Sequence, residues 1–321
     1  MTVLCFGEML VRFAPDTDGT LGEADALRLH VAGAEANVAI SLASLGTSAR
    51  MATVLPDNAL GARALQTLVA HGVRTDACLR RPGRMGLYFI EAPRAGREGG
   101  FFYDRGDTAF ARAATEIGWL GALQGATWLH ISGLTAALGD TPVAAMRGAV
   151  AAAREHGVAI SFDCNFRPQL WADRIDDARA LIREFAGAAT LVFASNWDAQ
   201  LILADDSADQ ASLLEIFPDA RWIATTRRTD GPGSPRLGAV LASSSAITEI
   251  APTAISPFVE RIGAGDAFAA ALLHALASGW DDAEALNFAH RACLRKHGLP
   301  GDFSPLSAAD ILSDEKARLP R

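Results

Sequence analysis

Short apolar runs alternate along this chain with stretches whose small and apolar residues recur at helical spacing. The run 3–6 is compact and closed by Gly7. Residues 35–45 carry the helical pattern and stop at Gly46, 51–55 is strand-like, and 60–70 predicts a helix ending near Gly72. The alternation is clearest from 127 to 194. A strand at 127–131 is followed by a helix at 141–156 closed by Gly157, a strand at 158–162, a helix at 175–186 and a strand at 191–194, with a further strand at 222–225. Strand–helix alternation of this kind predicts an α/β fold whose mostly parallel sheet carries helices on both faces.

Two stretches break the pattern. Residues 10–31 and 85–105 are rich in β-formers and turn residues, and LVRFAP, ALRLHV, GLYFIEA and GGFFYDR read as four strands with no crossover helix after them. They predict an accessory antiparallel sheet inserted twice into the main fold. A small sheet needs a face to cover, either the mouth of an active site or a partner subunit; ordinary surface hairpins are the plainer alternative. The expected division is a large α/β domain at 1–8, 33–84 and 109–321, with the inserted sheet at 9–32 and 85–108. The Gly/Pro/Ser-rich stretch 227–236 reads as a loop, and the polar tail from Ser313 as frayed or a last helical turn.

Composition narrows the function classes. The 321 residues are half hydrophobic and 21% charged, enough apolar material for a sizeable core without disulfide staples. The formal charge is −8 and no basic block appears, which argues against a nucleic-acid partner. Cys5, Cys78, Cys164 and Cys293 are scattered without zinc spacing and read as reduced cysteines of a cytoplasmic protein. MTVLCFGEML lacks a basic n-region and holds Glu8 in its apolar stretch, so it reads as a strand, not a signal peptide. The longest apolar run, 267–277, is interrupted by His274 and is far short of the ~18–20 residues of a membrane span. No G-x-G-x-x-G follows the first strand, which removes a dinucleotide-dependent dehydrogenase.

The strongest chemical signal is Gly263-Ala264-Gly265-Asp266, followed at once by the Ala-rich helix AFAAALLHALASG. Glycines let the backbone approach a ligand closely, and the helix start offers unpaired N–H groups and the positive end of its dipole, a cradle for phosphate. Asp266 is then either an N-cap, stabilising by about 1 kcal/mol, or a general base beside an anion hole. The field of the helix start favours the ionised carboxylate, so such a base is expected to be ready at pH 7 with an ordinary pKa.

This segment resembles the C-terminal signature of the ribokinase-like, or PfkB, sugar kinases. The N-terminal signature is matched by Gly33-Ala34-Glu35-Ala36-Asn37-Val38-Ala39 with LASLG after it, and the resemblance continues through LPDNALG, HGV and FDCNFRPQLW. Within the family the sequence is most similar to the 2-keto-3-deoxygluconate kinases, in GAEANVA, the GLYF and FFYDR pair, N-F-R…LW and the ending KHGLPGDF. The resemblance implies a three-layer, doubly wound fold with a small β-sheet lid, and ATP-dependent phosphorylation of 2-keto-3-deoxygluconate at its terminal 6-hydroxyl.

The resemblance also implies roles. Asp266 is the catalytic base, and the N–H groups of Gly263, Ala264 and Gly265 stabilise the transferring phosphoryl. Gly33, Asn37, Tyr88, Tyr103, Arg105, Arg167 and Asp302 bind the sugar acid; Asn165, Arg167, Ser195, Thr225, Arg227, Gly263 and Gly265 bind the nucleotide. Plainer readings stand beside these. Asn37 can be a buried polar group satisfied by backbone, the two tyrosines strand aromatics that cover the sheet, Arg167 an ion-pair partner of Asp163 or Asp173, and Asp302 a turn residue. Arginines at both Arg105 and Arg167 favour a carboxylated substrate over a neutral hexose. Mg²⁺ is expected to be held by phosphates, water and carboxylates, with Asp198 an indirect contributor, and a monovalent cation such as K⁺ is a further candidate. A homodimer or larger homo-oligomer through the lid is expected.

The chain departs from the family pattern in four places. Ala32 stands for the first glycine of a G-G pair, and Asp198 for the acid of N-x-x-E. Glu260-Arg261-Ile262 replaces D-T-T, and RRTDGPGSP replaces a short lysine/glycine turn. The alternatives are a fructokinase, ribokinase or nucleoside kinase of the same fold, or a sugar-sensing homologue without catalysis.

Overall fold

The computed structural model describes residues 1–16, 20–91, 99–172, 174–230 and 234–313. Part of the second inserted stretch (92–98), part of the 227–236 loop (231–233), Asp173 and the tail beyond Ser313 lie outside the described residues.

Thirteen strands are described: β1 (Thr2–Phe6), β2 (Leu10–Pro15), β3 (Leu27–Ala32), β4 (Ser48–Pro56), β5 (Arg74–Arg81), β6 (Gly86–Glu91), β7 (Gly100–Asp104), β8 (Trp128–Ser132), β9 (Ala159–Asp163), β10 (Leu191–Phe193), β11 (Trp222–Thr229), β12 (Arg236–Ser243) and β13 (Ile247–Ala254). Nine form the large sheet in the order β13-β12-β11-β10-β9-β8-β1-β4-β5. It is parallel from β5 to β11, and β12 and β13 close one side antiparallel. The alternation of side chains builds two cores from one sheet. Val3 and Cys5 of β1 face the helices Ala34–Ser44, Ala264–Ala277 and Asp282–His297; Leu4 and Phe6 face the helices Asp140–Glu155 and Ile175–Ala186. The three-layer, doubly wound architecture is therefore as expected.

Among the elements absent from the sequence reading are β5, β12, β13, the helices Asp282–His297, Asn196–Leu203 and Gln210–Ile216, and several shorter helical turns. β5 and β13 are the two edges of the sheet, half-exposed and polar, and β13 carries Pro252. Edge strands lack the two-sided apolar run that marks β8 or β10, and they tolerate proline. No helix among the described residues is long and apolar enough to cross a membrane.

The small sheet has the order β3-β2-β6-β7. Its hairpins β2/β3 and β6/β7 are antiparallel as expected, but they join through a parallel pair, β2/β6. The two hairpins leave the large domain at separate points, so no turn dictates the direction of their join. The register sets Arg12 opposite Tyr88 and Tyr88 opposite Tyr103. Leu10, Ala32 and Tyr88, with Phe101 and Tyr103, form a small apolar cluster on the inner face.

A buried ion pair fastens this lid. Glu8, just past the end of β1, accepts hydrogen bonds from Arg105 Nε (2.7 Å) and from the hydroxyl of Thr108. Both charged side chains are almost fully removed from water. Removing one partner of such a pair leaves an uncompensated buried charge. Glu8→Ala is expected to lower the unfolding free energy by about 3–5 kcal/mol in urea titration; a loss under about 1 kcal/mol, the scale of exposed pairs, would show that the pair does not hold the lid.

Candidate active site

A cleft of about 620 Å³ opens between the lid and the carboxyl ends of the central strands, where open α/β sheets place their ligands. Asp163 at the end of β9, Phe193 at the end of β10 and Thr225 in β11 line its floor, and Tyr88, Phe101 and Tyr103 line its roof.

The start of the helix Ala264–Ala277 forms one wall. Gly263 is the residue before the helix, with φ of 70°, in the left-handed region. A Cβ there would stand 1.7 Å from the carbonyl oxygen of Asp302, so only glycine fits. Gly263 makes no side-chain cap and Asp266 lies inside the first turn, which removes the N-cap reading of Asp266. Its Oδ2 instead accepts from Asn37 Nδ2 at 2.7 Å. Gly263, Gly265 and Asp266 line the cleft, whereas Ala264 is buried and its N–H turns back to the carbonyl of Arg261 at 3.3 Å. The expected contribution of Ala264 to an anion hole is therefore corrected: the open N–H groups at this end belong to Gly265 and Asp266, whose position in the first turn leaves them without intrahelical partners.

The electrostatics also correct the sequence reading. Burial pushes the Asp266 carboxyl up to about 7, against the Asn37 hydrogen bond and the Arg167 guanidinium, with Glu35 and Asp302 pushing the same way as burial. Desolvation outweighs the stabilising contacts. Asp163 is pushed up to about 8, by burial first and then by Asp266 and Asp198. Asp266 is thus poised near neutrality rather than fully ionised at pH 7.

On the facing wall, Gly33 precedes the helix Ala34–Ser44 with φ of 147°, and a Cβ would come within 2.7 Å of the Glu8 carbonyl. Gly33 and Asn37 both line the cleft. The Asn37 Oδ1 is buried without a hydrogen-bond partner among the described residues, so the amide is only half satisfied by Asp266. The backbone-satisfied reading of Asn37 does not hold.

Tyr88 donates its hydroxyl to Asp302 Oδ1 at 2.8 Å, and Arg12 Nε donates to Asp302 Oδ2 at 2.9 Å. Asp302 is therefore a buried acceptor that ties the lid to the C-terminal loop, beyond a simple turn residue. Tyr103 lines the cleft with its ring 6.0 Å from that of Tyr88.

The two expected arginines differ. Arg105 lines the cleft, but its charge is matched by Glu8. Arg167 has no ion pair among the described residues and donates only to the carbonyl of Phe166 at 3.1 Å. It lowers the pKa of both Asp163 and Asp266. The expected pairing of Arg167 with Asp163 as a surface ion pair is absent, and the alternative partner Asp173 lies outside the described residues.

Asn165 lines the cleft with φ of 39°, its N–H bonded to Asp163 Oδ1 at 3.0 Å. Ser195 and Asp198 close a capping box at the helix Asn196–Leu203: Asp198 Oδ2 accepts from the Ser195 N–H (2.8 Å) and hydroxyl (2.6 Å). Both line the cleft, yet their polar atoms are engaged with each other, so Asp163 is the carboxylate better disposed toward a cation there. Thr225 and Thr226 line the cleft, but Arg227 does not. It is exposed and donates to Glu249 at 3.3 Å, which corrects its assignment to the nucleotide. Among the described residues no group of three His, Cys, Asp or Glu is arranged to hold a metal by itself.

Sequence reasoning passed over Glu8, Arg12 and Arg261. Arg12 lies on the same strand face as Leu10, a charge on an apolar face that signals a partner. Arg261 lines the cleft and stands over the Phe101 ring at 5.6 Å, a bridge from the helix start to the lid.

Residues 1–294 match the profile of the pfkB family carbohydrate kinases. The 2-dehydro-3-deoxygalactonokinase of Haloferax volcanii is 30% identical over 311 residues, covering 96% of this chain and 95% of its own. The crystal structure of a PfkB family carbohydrate kinase from Listeria grayi superposes with a TM-score of 0.91 at 31% identity, over 97% of this chain and 98% of that one. That of 2-dehydro-3-deoxygluconokinase from Thermotoga maritima gives a TM-score of 0.89 at 30% identity, again over 97% and 98%. The family match, which spans both walls of the cleft, and these full-length likenesses place the chain among the pfkB family carbohydrate kinases.

Proposed function

We propose that the chain transfers the terminal phosphoryl of ATP to the 6-hydroxyl of 2-keto-3-deoxygluconate. The observation that carries this reading is the presence in one cleft of Asp266, at a helix start with open N–H groups, and of Arg167, a guanidinium with no acidic partner among the described residues. Names of two similar proteins, one a 2-dehydro-3-deoxygalactonokinase and one a 2-dehydro-3-deoxygluconokinase, support a keto-deoxy sugar acid as acceptor.

In this reading Asp266 takes the proton of the acceptor hydroxyl as its oxygen bonds to the γ-phosphorus and the bond to the ADP oxygen breaks. Asn37 holds the carboxylate in place through Nδ2. The Gly265 and Asp266 N–H groups face the charge on the transferring phosphoryl. Arg167 supplies paired donors to the sugar carboxylate or to phosphate. Tyr88, held by Asp302, and Tyr103 present apolar faces to the sugar, and the lid excludes water that otherwise wastes ATP. Mg²⁺, when bound with the nucleotide, neutralises phosphate charge. Asp163 as the available carboxylate and the absence of a three-ligand cluster among the described residues fit an ion held mainly by phosphates and water.

Three outcomes follow. In a coupled ADP-release assay, kcat/KM is expected to be higher for the keto acid than for fructose or ribose; Arg167→Met narrows that ratio by about 10-fold or more, the worth of a hydrogen bond to a charged group. A better rate on fructose overturns the substrate. Asp266→Asn is expected to lower kcat by about 10²–10⁴-fold. Because the folded-state pKa is raised to about 7, Asp266 costs stability progressively as pH rises from about 4, where the unfolded chain ionises, to about 7, and the full cost is present above that. The Asn variant should therefore melt no lower than the parent at pH 8, and unchanged kcat removes the role. The base must be deprotonated to act, so log kcat/KM should fall with unit slope below pH about 7 and level above it; a flat profile down to pH 5 contradicts the elevated pKa.

A further inference from the structure

Lysine is almost never fully buried unless a counter-charge touches it. Lys296, in the last turn of the helix Asp282–His297, is 0% exposed. Its Nζ donates to the carbonyls of Leu299 (3.0 Å) and Gly301 (2.8 Å), and no carboxylate of the described residues lies within ion-pair distance. Glu260, Asp302 and Asp266 act on it only through space, raising a pKa that burial lowers. An ammonium ion enclosed by loop carbonyls, with carboxylates beyond them, has the surroundings of a bound monovalent cation rather than of a salt bridge.

The loop it organises is part of the active site. With the Leu299 and Gly301 carbonyls turned toward Nζ, the Gly301 N–H points to the Glu260 carboxylate. The next carbonyl, that of Asp302, then lies against Gly263. The N–H groups of Val259 and Glu260 bond the carbonyl of His297 at 2.8 and 3.2 Å. The helix end at Lys296, the loop to Asp302 and the turn before Asp266 are thereby one bonded unit. Removing the ammonium would take from the Leu299 and Gly301 carbonyls the donor they share, which costs free energy and loosens the loop.

We propose that Lys296 is a built-in cation that positions the phosphoryl-binding turn at 263–266, doing from within the chain what a carbonyl-bound monovalent metal ion would do, so that turnover needs no potassium. This replaces the monovalent ion expected from the sequence, and it rests on the kinase reading for its activity arm only.

The test uses the full chain, ATP and Mg²⁺, with chloride salts of tetramethylammonium, potassium or ammonium. The parent enzyme is expected to show kcat within about 2-fold across the three salts. Lys296→Met, similar in length but uncharged, should lose about 10- to 100-fold in kcat, the scale of a misplaced catalytic geometry, with little change in the sugar KM and no response to salt. Lys296→Ala leaves room for an ion, so potassium or ammonium, but not tetramethylammonium, should restore part of its kcat and raise its melting temperature. The melting arm needs no sugar, so an error in the substrate leaves it intact. Several-fold dependence of the parent on potassium overturns the proposal. So does parent-like kcat in Lys296→Met, or loss in Lys296→Ala that neither small cation repairs. If neither variant folds, the salt response of the parent alone decides.

Discussion

The approach of the Asp302 carbonyl to the α-carbon of Gly263 sets the position of nearly everything else in the cleft. A side chain at 263 would collide with it at 1.7 Å, so glycine is required both for its left-handed φ and for the contact. Through this contact the C-terminal loop and the start of the Asp266 helix share one geometry. Asp302 extends it to the lid, because its side chain accepts from Arg12 on β2 and Tyr88 on β6. Chain segments nearly 300 residues apart thus converge on one backbone contact, and the base, the anion-binding N–H groups and the roof of the cleft are placed together.

Carboxylates crowd this region: Glu35, Asp163, Asp198, Asp266 and Asp302 lie in or just behind its walls. Local contacts quench some of them. Ser132 and Thr135 hydroxyls bond Glu35 at 2.6 and 3.0 Å, and Asp198 is closed in a capping box. Asp302 is held by Arg12 and Tyr88. Asp163 and Asp266 remain, and both are driven toward neutrality by burial and by like charges nearby. The helix dipole, which favours an ionised Asp266, is the weaker influence, since its benefit is about 0.3–1 kcal/mol for an exposed group and desolvation of a buried carboxylate shifts it by several pKa steps.

Legibility in the sequence followed the range of the interactions involved. Periodicity and glycine punctuation located β1, β8, β9 and the helix Ile175–Ala186 within a residue or two, because those signals are local. The Gly-Ala-Gly-Asp turn was legible for the same reason. The edge strands β5 and β13 were not, since half-exposed edges mix polar and apolar residues. The parallel join of β2 with β6 depends on contacts made only after both hairpins dock. Arg12 meeting Asp302, or Glu8 meeting Arg105, leaves no trace at any fixed spacing. Lys296 reads in sequence as an ordinary basic residue at a helix end; only its burial sets it apart.

The parallel pair at the centre of the lid has a mechanical consequence. The small sheet is tied to the body by four chain crossings, near residues 7–9, 33, 82–85 and 105–108. All four crossings fall along one margin, where Leu10 stands beside Ala32 and Gly86, and Leu87 beside Asp104. A sheet fastened along one whole margin, with Glu8 and Asp302 gripping it near that margin, swings as a single plate. Entry for sugar and nucleotide should then widen as a wedge away from the fastened margin, and the strands of the plate keep their register throughout.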